Sequence, residues 1–178
     1  MFDPFGVKNI SPDRELNISQ MVQSNYERLI RLAEEVFDFR NDPDQLNVDQ
    51  KAREKLLEIH PATLSEFSDE NGPVAWLLII PTSARIMEQF LAGRISENEL
   101  FQMTMPGEKY EAVYLCSALV LEEYRRKGII TELALKAITA IRKDHPVKAL
   151  FVWAFTREGN FGAEKLATIT GLPLFHRT

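Results

Sequence analysis

The sequence contains very little cysteine: Cys116 is the single one among 178 residues. One cysteine excludes a disulfide within the chain, and this favours a reducing compartment. The first residues lack the basic start and the apolar stretch of a signal peptide. The longest apolar runs, such as residues 74–80, fall far short of the roughly 20 residues that cross a bilayer. These absences predict a cytoplasmic protein without a membrane segment.

A positive net charge is also absent. The chain has 26 acidic residues against 21 lysines and arginines, which gives a formal net charge of −5. This balance does not favour a nucleic-acid partner. A hydrophobic fraction of 45% in 178 residues is typical of one globular domain. We therefore expect a single domain over residues 1–178, with a mainly helical part over 1–60 and a sheet core over 61–178.

The signatures of several common chemistries are missing as well. His60, His145 and His176 are scattered and lack the spacing of metal ligands, so no metal site is predicted. The chain has neither a P-loop nor the Gly-x-Ser-x-Gly turn of serine hydrolases.

The N-terminal third has helical periodicity. Apolar residues recur at steps of three and four from Ile18 to Phe37, which predicts a long helix. A shorter, more charged helix is predicted over 50–59, and Pro61 prevents its continuation. The exposed side of the long helix is also a candidate homodimer surface, although the helix could equally cover the sheet.

The middle of the sequence predicts a hairpin followed by two short helices. Residues 69–72 end in Asn-Gly and separate a weak strand (63–67) from a strongly apolar one (74–80). Ser83 is a candidate N-cap for a helix over 84–92, and Gly93 is placed to end it. Residues 96–99 read as a capping box that opens the second helix. Residues 103–110 are predicted to be a loop.

The last third alternates strands and helices. A strand is predicted over 112–121, a helix over 128–142, a strand over 147–155 and a helix over 160–170. This order predicts two parallel strands joined by a right-handed crossover. The predicted fold class is therefore α/β with a mixed sheet, with N-terminal helices and a helical insertion before the central strand. Either residues 172–175 form one more short strand, or the sheet is truncated or completed by a partner.

The junction at residues 125–130 carries the clearest chemistry. Three cations, Arg125, Arg126 and Lys127, and then Gly128, lie between a strand and a helix. The start of a helix has unpaired backbone N–H groups and a partial positive charge, which together bind phosphate. The alternative is that the basic residues are a solvated turn.

This stretch resembles the pyrophosphate loop of the GNAT acyl-CoA N-acyltransferase superfamily. That pattern is Arg or Gln, two residues, Gly, one residue, then Gly or Ala. Arg125 and Gly128 fill the first two places, and Ile130 stands in the third. The last helix keeps the family's spacing at Asn160, Ala163, Leu166 and Gly171, whereas Ala167 and Leu172 replace the usual Tyr and Phe.

The resemblance implies that acetyl-CoA binds as co-substrate in a gap between two parallel strands. A primary amine, on a small molecule or a peptide, would attack the thioester directly, without an acyl-enzyme or a metal. The acidic surface suits a cationic acceptor. The cofactor-binding residues implied by the resemblance are Ala118, Val120, Arg125, Arg126, Lys127, Gly128, Ile129, Ile130 and Asn160.

The general acid and base are less clearly marked. The usual tyrosine is replaced by Ala167, which cannot donate a proton. Glu111 is a candidate base through water, or an exposed charge at a strand end. Cys116 is a candidate near the thioester, or a buried small residue. An N-acetyltransferase is the leading prediction, and the alternative is a CoA-binding or protein-interaction module without turnover.

Strand alternation limits the candidates near the thioester. It places Tyr114, Cys116, Ala118 and Val120 on one face, so that only one of Cys116 and Ser117 can face the gap. Tyr114 and Tyr124 are candidate proton donors, or packing residues. Trp153 and Phe155 are expected to cover the sheet or to wall an acceptor pocket.

Overall fold

The structure is a computed structural model that describes residues 23–37, 43–154 and 156–178. Within these residues the chain forms six α-helices and five strands. The helices are α1 (Asn25–Phe37), α2 (Gln50–Ile59), α3 (Ala84–Leu91), α4 (Glu97–Met103), α5 (Ile129–Asp144) and α6 (Arg157–Thr170). The strands are β1 (Leu64–Asp69), β2 (Gly72–Thr82), β3 (Ala112–Val120), β4 (Ala149–Val152) and β5 (Leu174–His176). The predicted start of the first helix at Ile18 lies outside the described residues.

The five strands form one sheet in the order β1-β2-β3-β4-β5. β2 runs antiparallel to both β1 and β3, whereas β4 runs parallel to β3 and β5 parallel to β4. α5 makes the crossover between β3 and β4, as the strand–helix–strand order predicts. The predicted mixed α/β fold, with helices inserted before the central strand, is confirmed.

The predicted hairpin joins β1 to β2. Asp69 pairs with Gly72 at its tip, and Gly72 has a φ of +111°, which a residue with a side chain rarely adopts. β2 is longer than the sequence predicts at both ends, whereas β1 is longer only at its second end. β1 begins at Leu64 rather than Thr63, because residues 61–63 form a 3-10 turn.

Short-range signals set the ends of the inserted helices. Ser83 caps α3 by accepting from the Ile86 amide at 3.3 Å, and Gly93 follows the helix with a φ of +68°. Ser96 and Glu99 form the predicted capping box at the start of α4. These predictions are confirmed because a cap depends only on residues within one turn of the helix.

The predicted start of the last helix is wrong by three residues. α6 begins at Arg157 rather than at Asn160. The Thr156 side chain accepts from the Gly159 amide at 3.0 Å and so serves as the N-cap. Asn160 therefore lies within the first turn of the helix instead of at its first residue.

The strand predicted over 147–155 is shorter than expected. It is confined to β4, which ends at Val152, and Phe155 lies outside the described residues. The short strand expected within 172–175 is present as β5, which pairs with β4 from Leu150–Leu174 onward.

The sheet has a separate apolar core on each face. α1, α5 and α6 cover one face, where Ile138 and Leu166 are buried. α2, α3 and α4 cover the other face, where Leu56, Phe90 and Phe101 are buried. Strands between two covered faces need apolar residues on both sides, which explains the continuous apolar run of β2.

Candidate functional site

The loop between β3 and α5 has a backbone shape that exposes amide groups. Arg126 and Gly128 have φ values of 61° and 78°. Gly128 is the N-cap of α5 and supplies no side-chain hydrogen bond to the first turn. Because the first N–H groups of a helix have no partner within the helix, an uncapped start leaves them open to an anion. Successive backbone N–H groups in a turn of this kind can form a concave anion site.

Three exposed cations surround these amides. Arg125, Arg126 and Lys127 make no ion pair within the described part of the chain. The Lys127 ammonium lies 5.0 Å from the centroid of the Tyr124 ring. The acidic residue in the first turn of α5, Glu132, pairs with a lysine one turn along at 2.7 Å. The loop therefore presents positive charge to solvent within an acidic protein.

Contacts from α1 and the β1–β2 turn hold the entry to this loop. Arg28 donates from both terminal nitrogens to Glu123 at 2.6 and 2.8 Å, and this pairing lowers the pKa of Glu123 to about 2. Tyr124 donates its hydroxyl to Asp69, which also accepts from Asn25 at 2.9 Å. The bond to Asp69 raises the pKa of Tyr124, so this hydroxyl stays protonated. These contacts join distant segments around the last residues before Arg125.

The second part of the site is the end of β3, which extends beyond β4. Parallel pairing covers Ala112–Leu115 and ends at the Leu115–Val152 pair. In the rest of β3, Cys116–Val120, the last four residues pair with β2 on one side, and in the described part of the chain no strand pairs with the other side. We call this unpaired side of Cys116–Val120 the open edge. The resemblance implies that the co-substrate binds at a place where two parallel strands part.

The pairing of β3 with β2 decides which amides face the open edge. Leu121 donates its amide to the Val74 carbonyl at 2.9 Å, so its backbone groups face β2. Backbone groups of successive residues in a strand point to alternate sides, so those of Ala118 and Val120 face the open edge. These are the two residues whose backbone the resemblance assigns to pantetheine binding.

A β-bulge lies where the open edge begins. Leu78 pairs with Ser117 and Ile79 with Leu115, so Cys116 has no residue opposite it on β2. A bulge bends a strand and redirects its side chains. The bulge coincides with the point where β3 and β4 stop pairing.

The predicted sharing of one face by four β3 side chains is confirmed only in part. Tyr114 and Cys116 both pack on the side of α3 and α4, and Ala118 is exposed. Val120 packs instead against the core under α5. Alternation fails at the bulge at Cys116, since beyond it Ala118 and Val120 pair with Leu77 and Ala75, which belong to the core under α5.

The start of α6 faces the same end of the sheet as the β3–α5 loop. β3 and β4 are parallel, so the loops at their carboxyl ends lie at one edge of the sheet. Asn160 is half-buried in the first turn of α6, and its amide donates to the Thr156 carbonyl at 3.2 Å. The predicted cofactor residues on the two segments are thus at one end of the sheet.

Glu111 lies at the opposite end. It precedes β3, and its carbonyl accepts from the Lys148 amide at 2.7 Å. Its carboxylate accepts a weak bond from the Ala84 amide at 3.4 Å, at the start of α3. The structure therefore does not bring Glu111 together with the open edge or with the β3–α5 loop.

Cys116 lies at the start of the open edge, but its thiol is not activated. Burial is the main cause that raises its pKa well above the usual value, and the nearby Glu97 carboxylate adds to this effect. The thiol is therefore protonated at neutral pH, and a thiol is a far weaker nucleophile than a thiolate. Tyr114 is fully buried, and burial likewise raises its pKa.

Glu97 is the acidic residue that the structure adds to the site. It is the first residue of α4 and only 8% exposed. One carboxylate oxygen, Oε1, accepts from the Tyr114 hydroxyl at 2.8 Å and from the Cys116 thiol at 3.4 Å. The other, Oε2, accepts from the Leu46 amide at 2.8 Å. The sequence contained a signal for this burial, because Glu97, Leu100 and Phe101 have the i, i+3, i+4 spacing of a helix face.

Aromatic rings and a cation flank the end of β4. The Arg177 guanidinium lies 4.4 Å from the ring centroids of both Phe90 and Trp153. Its Nη1 donates to the Ile95 carbonyl at 3.0 Å, and its amide donates to the Val152 carbonyl at 2.9 Å. Trp153 therefore packs against the core under α2, α3 and α4, which is one of its two predicted roles.

Two further predicted features have simple structural surroundings. Ala167 is half-buried against the core under α5 and offers no proton. His60 binds Asp144 at 2.9 Å and lies 5.8 Å from His145, ring to ring, whereas His176 is exposed on β5.

Within residues 23–37, 43–154 and 156–178, no group of three or more His, Cys, Asp or Glu side chains could hold a metal ion. None of the helices in these ranges combines the length and apolar character that a bilayer crossing requires.

Comparison with known families decides the identification. The profile of the Acetyltransferase (GNAT) family matches residues 33–171, which include the β3–α5 loop, the open edge and α6. The chain belongs to this family. The predicted membership in the GNAT superfamily is thus confirmed.

Comparisons of this GNAT chain with solved structures and with curated sequences add no further identification. A solved structure that it resembles is an aminoglycoside acetyltransferase, meta-AAC0020, from an uncultured soil metagenomic sample, in complex with trehalose. The identity is 20%, the match covers 80% of this chain and 77% of that one, and the TM-score is 0.45. No curated protein sequence matches the chain.

Proposed function

We propose that this GNAT protein transfers an acetyl group from acetyl-CoA to a primary amine. The observation that supports the proposal most strongly is the continuity of two features, the open edge of β3 and the uncapped, basic start of α5. One offers backbone groups to an extended amide chain, and the other offers amides to phosphate. Acetyl-CoA contains both parts, a pantetheine arm and a pyrophosphate.

The residues present fit this co-substrate. Ala118 and Val120 would hold the pantetheine arm through their backbone groups. The amides of residues 126–130 and the cations Arg125, Arg126 and Lys127 would hold the pyrophosphate. Ile130 keeps its N–H group and is half-buried, so its branched side chain is partly turned away from the solvent that a phosphate would occupy. Asn160, in the first turn of α6, would complete the site.

The reaction is direct transfer. The amine nitrogen attacks the thioester carbonyl, a C–N bond forms and the C–S bond breaks. The CoA thiolate leaves and takes up the proton that the nitrogen loses. The raised pKa of the Cys116 thiol supports this route, because a protonated thiol does not readily form an acyl-enzyme. The protein contributes orientation, which alone gives a large share of the rate of such reactions.

Calorimetry with acetyl-CoA and CoA tests the proposal. Ligand at about 100 times its Kd should stabilise the fold by roughly 2.7 kcal/mol, which a thermal-shift series detects easily. Replacing Arg126 and Lys127 by Ala should weaken binding. Lys143→Ala is the matched control, because Lys143 is an exposed cation at the other end of the same helix.

Equal losses in the two kinds of variant would show that binding depends on net charge and not on this loop. No binding at millimolar CoA would contradict the proposal outright. If CoA binds, amines are screened for turnover by following release of the free CoA thiol.

One observation supports a second candidate, a CoA-binding module without turnover. Ala167 occupies the position where family members often carry a proton-donating tyrosine, and its surroundings are apolar. CoA binding without thiol release for any of a broad set of amines would favour this alternative. The presence of Glu97 next to Cys116 at the start of the open edge favours the enzyme instead.

A further inference from the structure

The position of Glu97 relative to the strands is the basis of this inference, which rests on the proposed function. Its Oε1 atom bonds to Cys116, the bulged residue with which the open edge begins. The last β3–β4 pair, Leu115–Val152, lies directly before this point. The carboxylate is therefore one side chain away from the place where the two strands separate.

The second observation is that this buried carboxylate lacks a countercharge. Its three hydrogen-bond donors, Tyr114, Cys116 and the Leu46 amide, are all neutral. Within the described part of the chain Glu97 forms no ion pair. Burying a charge without a partner of opposite sign is unfavourable, which makes this carboxylate a candidate for a role in binding or catalysis.

The charged and dipolar groups on the neighbouring elements do not neutralise the Glu97 carboxylate. Arg177, which follows β5, is committed to the rings of Phe90 and Trp153 and to the Ile95 carbonyl. The start of α4 contributes a partial positive charge, but a helix of this length contributes only a weak one. The hydroxyl and thiol orient the carboxylate and leave part of its acceptor capacity unused, because a carboxylate has about four lone-pair sites.

We propose that Glu97 binds the ammonium group of the acceptor and takes up its proton before acetyl transfer. The acceptor is then a primary amine that is cationic at neutral pH, rather than a weakly basic aromatic amine. The ammonium and the carboxylate become the free amine and the carboxylic acid, so charge and protons balance. The nitrogen lone pair that this step releases attacks the thioester, a C–N bond forms and the C–S bond breaks. The departing thiolate receives the second proton of the attacking nitrogen, directly or through water, and Glu97 returns the first proton to solvent.

Alternatives elsewhere in the molecule account for less. Glu111 lies at the other end of β3, and its carboxylate bonds at the start of α3. Asp69 and Glu123 are already bonded to Tyr124 and Arg28. Among these acidic side chains, only Glu97 is both buried and adjacent to the open edge.

The test uses a probe that requires no known acceptor. n-Butylammonium and its neutral analogue n-butanol are titrated into the protein, with and without saturating CoA, and binding is followed by NMR. We expect butylammonium to bind at least about tenfold more tightly than butanol, as a charged hydrogen bond implies. Glu97→Gln should abolish this preference. Glu88→Gln, an exposed glutamate on α3, should retain it.

A measurement on the unmodified protein guards against misfolding of Glu97→Gln. Butylammonium should shift the Cys116 amide and the Trp153 indole N–H signals, whereas butanol should not. Tyr114→Phe keeps the carboxylate and should retain the preference for the cation. Shifts confined to other residues, equal binding of the two probes, or a preference that survives in a folded Glu97→Gln protein would each overturn the inference.

Acetyl-CoA calorimetry on the same samples separates this inference from the proposed function. Tight acetyl-CoA binding without a cation preference overturns the role of Glu97 and leaves the transferase standing. A cation preference without acetyl-CoA binding supports the ammonium site and contradicts the transferase. Glu97→Gln should leave the Kd for acetyl-CoA unchanged within about twofold.

Discussion

Gly128 allows the backbone argument for the β3–α5 loop to be tested quantitatively. Its φ of 78° is left-handed, and a Cβ added there would meet no atom within 4 Å. Gly128→Ala therefore introduces no clash, and the only penalty is the left-handed backbone of a residue with a side chain, roughly 1–2 kcal/mol. Alanine also loses less conformational entropy on folding, which offsets about 0.5–1 kcal/mol. We expect a net loss in the free energy of unfolding of about 1 kcal/mol.

Gly162 provides the opposite case within the same chain. It lies inside α6, its φ is not positive, and an added Cβ would again meet nothing within 4 Å. Gly162→Ala should therefore raise the free energy of unfolding by about 0.5–1 kcal/mol. The same chemical change gives effects of opposite sign, and the two variants should differ by about 2 kcal/mol. Urea denaturation measures the difference, and in a chain of this length each kcal/mol moves Tm by about 2–4 °C.

A substitution at Gly107 distinguishes an effect on stability from an effect on acetyl-CoA binding. Its φ of 82° and its open surroundings match those of Gly128, but it lies before β3 and not after it. Gly107→Ala should lose as much stability as Gly128→Ala, whereas only Gly128→Ala should weaken acetyl-CoA binding. If Gly128→Ala and Gly162→Ala changed stability alike, the backbone argument would be refuted. An equal change in acetyl-CoA affinity at Gly107 and Gly128 would refute the assignment of the loop.

Three further outcomes follow from contacts described above. Ser96→Ala should destabilise the fold by about 1 kcal/mol through loss of the α4 cap, measured by urea denaturation. Burial lowers the pKa of His145 below 6.5. The contribution of the neutral imidazole to stability is therefore complete above pH 6.5 and is lost as the pH falls through the lowered pKa. Tm should fall between pH 7.5 and 5.5, and it should fall less in His145→Gln. Arg28→Ala should cost under about 1 kcal/mol of stability, because the ion pair of Arg28 with Glu123 is largely exposed. It should nevertheless weaken acetyl-CoA binding measurably, because it loosens the entry to the β3–α5 loop. An unchanged Kd for acetyl-CoA would contradict this positioning role.

The sequence predicted the features that depend on neighbouring residues. The Ser83 cap and the Ser96 capping box form within single helical turns, and the structure contains both. The role of Gly128 at the start of a helix was predictable, because Gly128 lies directly between three basic residues and an amphipathic stretch of sequence. The order of strands and helices was sufficient to predict parallel pairing of β3 and β4.

Features that depend on distant contacts were not predicted. Glu97 received no role because Glu99 already explained the acidic character of the α4 start, and its partners Tyr114 and Cys116 lie on another element. The bulge at Cys116 has no glycine to mark it. The start of α6 at Arg157 was not predicted, because the family spacing begins at Asn160 and the Thr156 cap lies before it.

The two apolar cores have a consequence for how this protein can change over time. Val120, Ile129 and Ile130, which are proposed to bind the cofactor, pack against the core under α1, α5 and α6, whereas Glu97 belongs to the inserted helix α4, which packs on the other face. Substitutions that are far apart and share no contacts combine nearly additively in their effects on stability. The inserted helices can therefore diverge in sequence, and with them the choice of acceptor, while the opposite face remains under constraint from a cofactor that does not vary. Close relatives of this chain should accordingly differ most between residues 83 and 104.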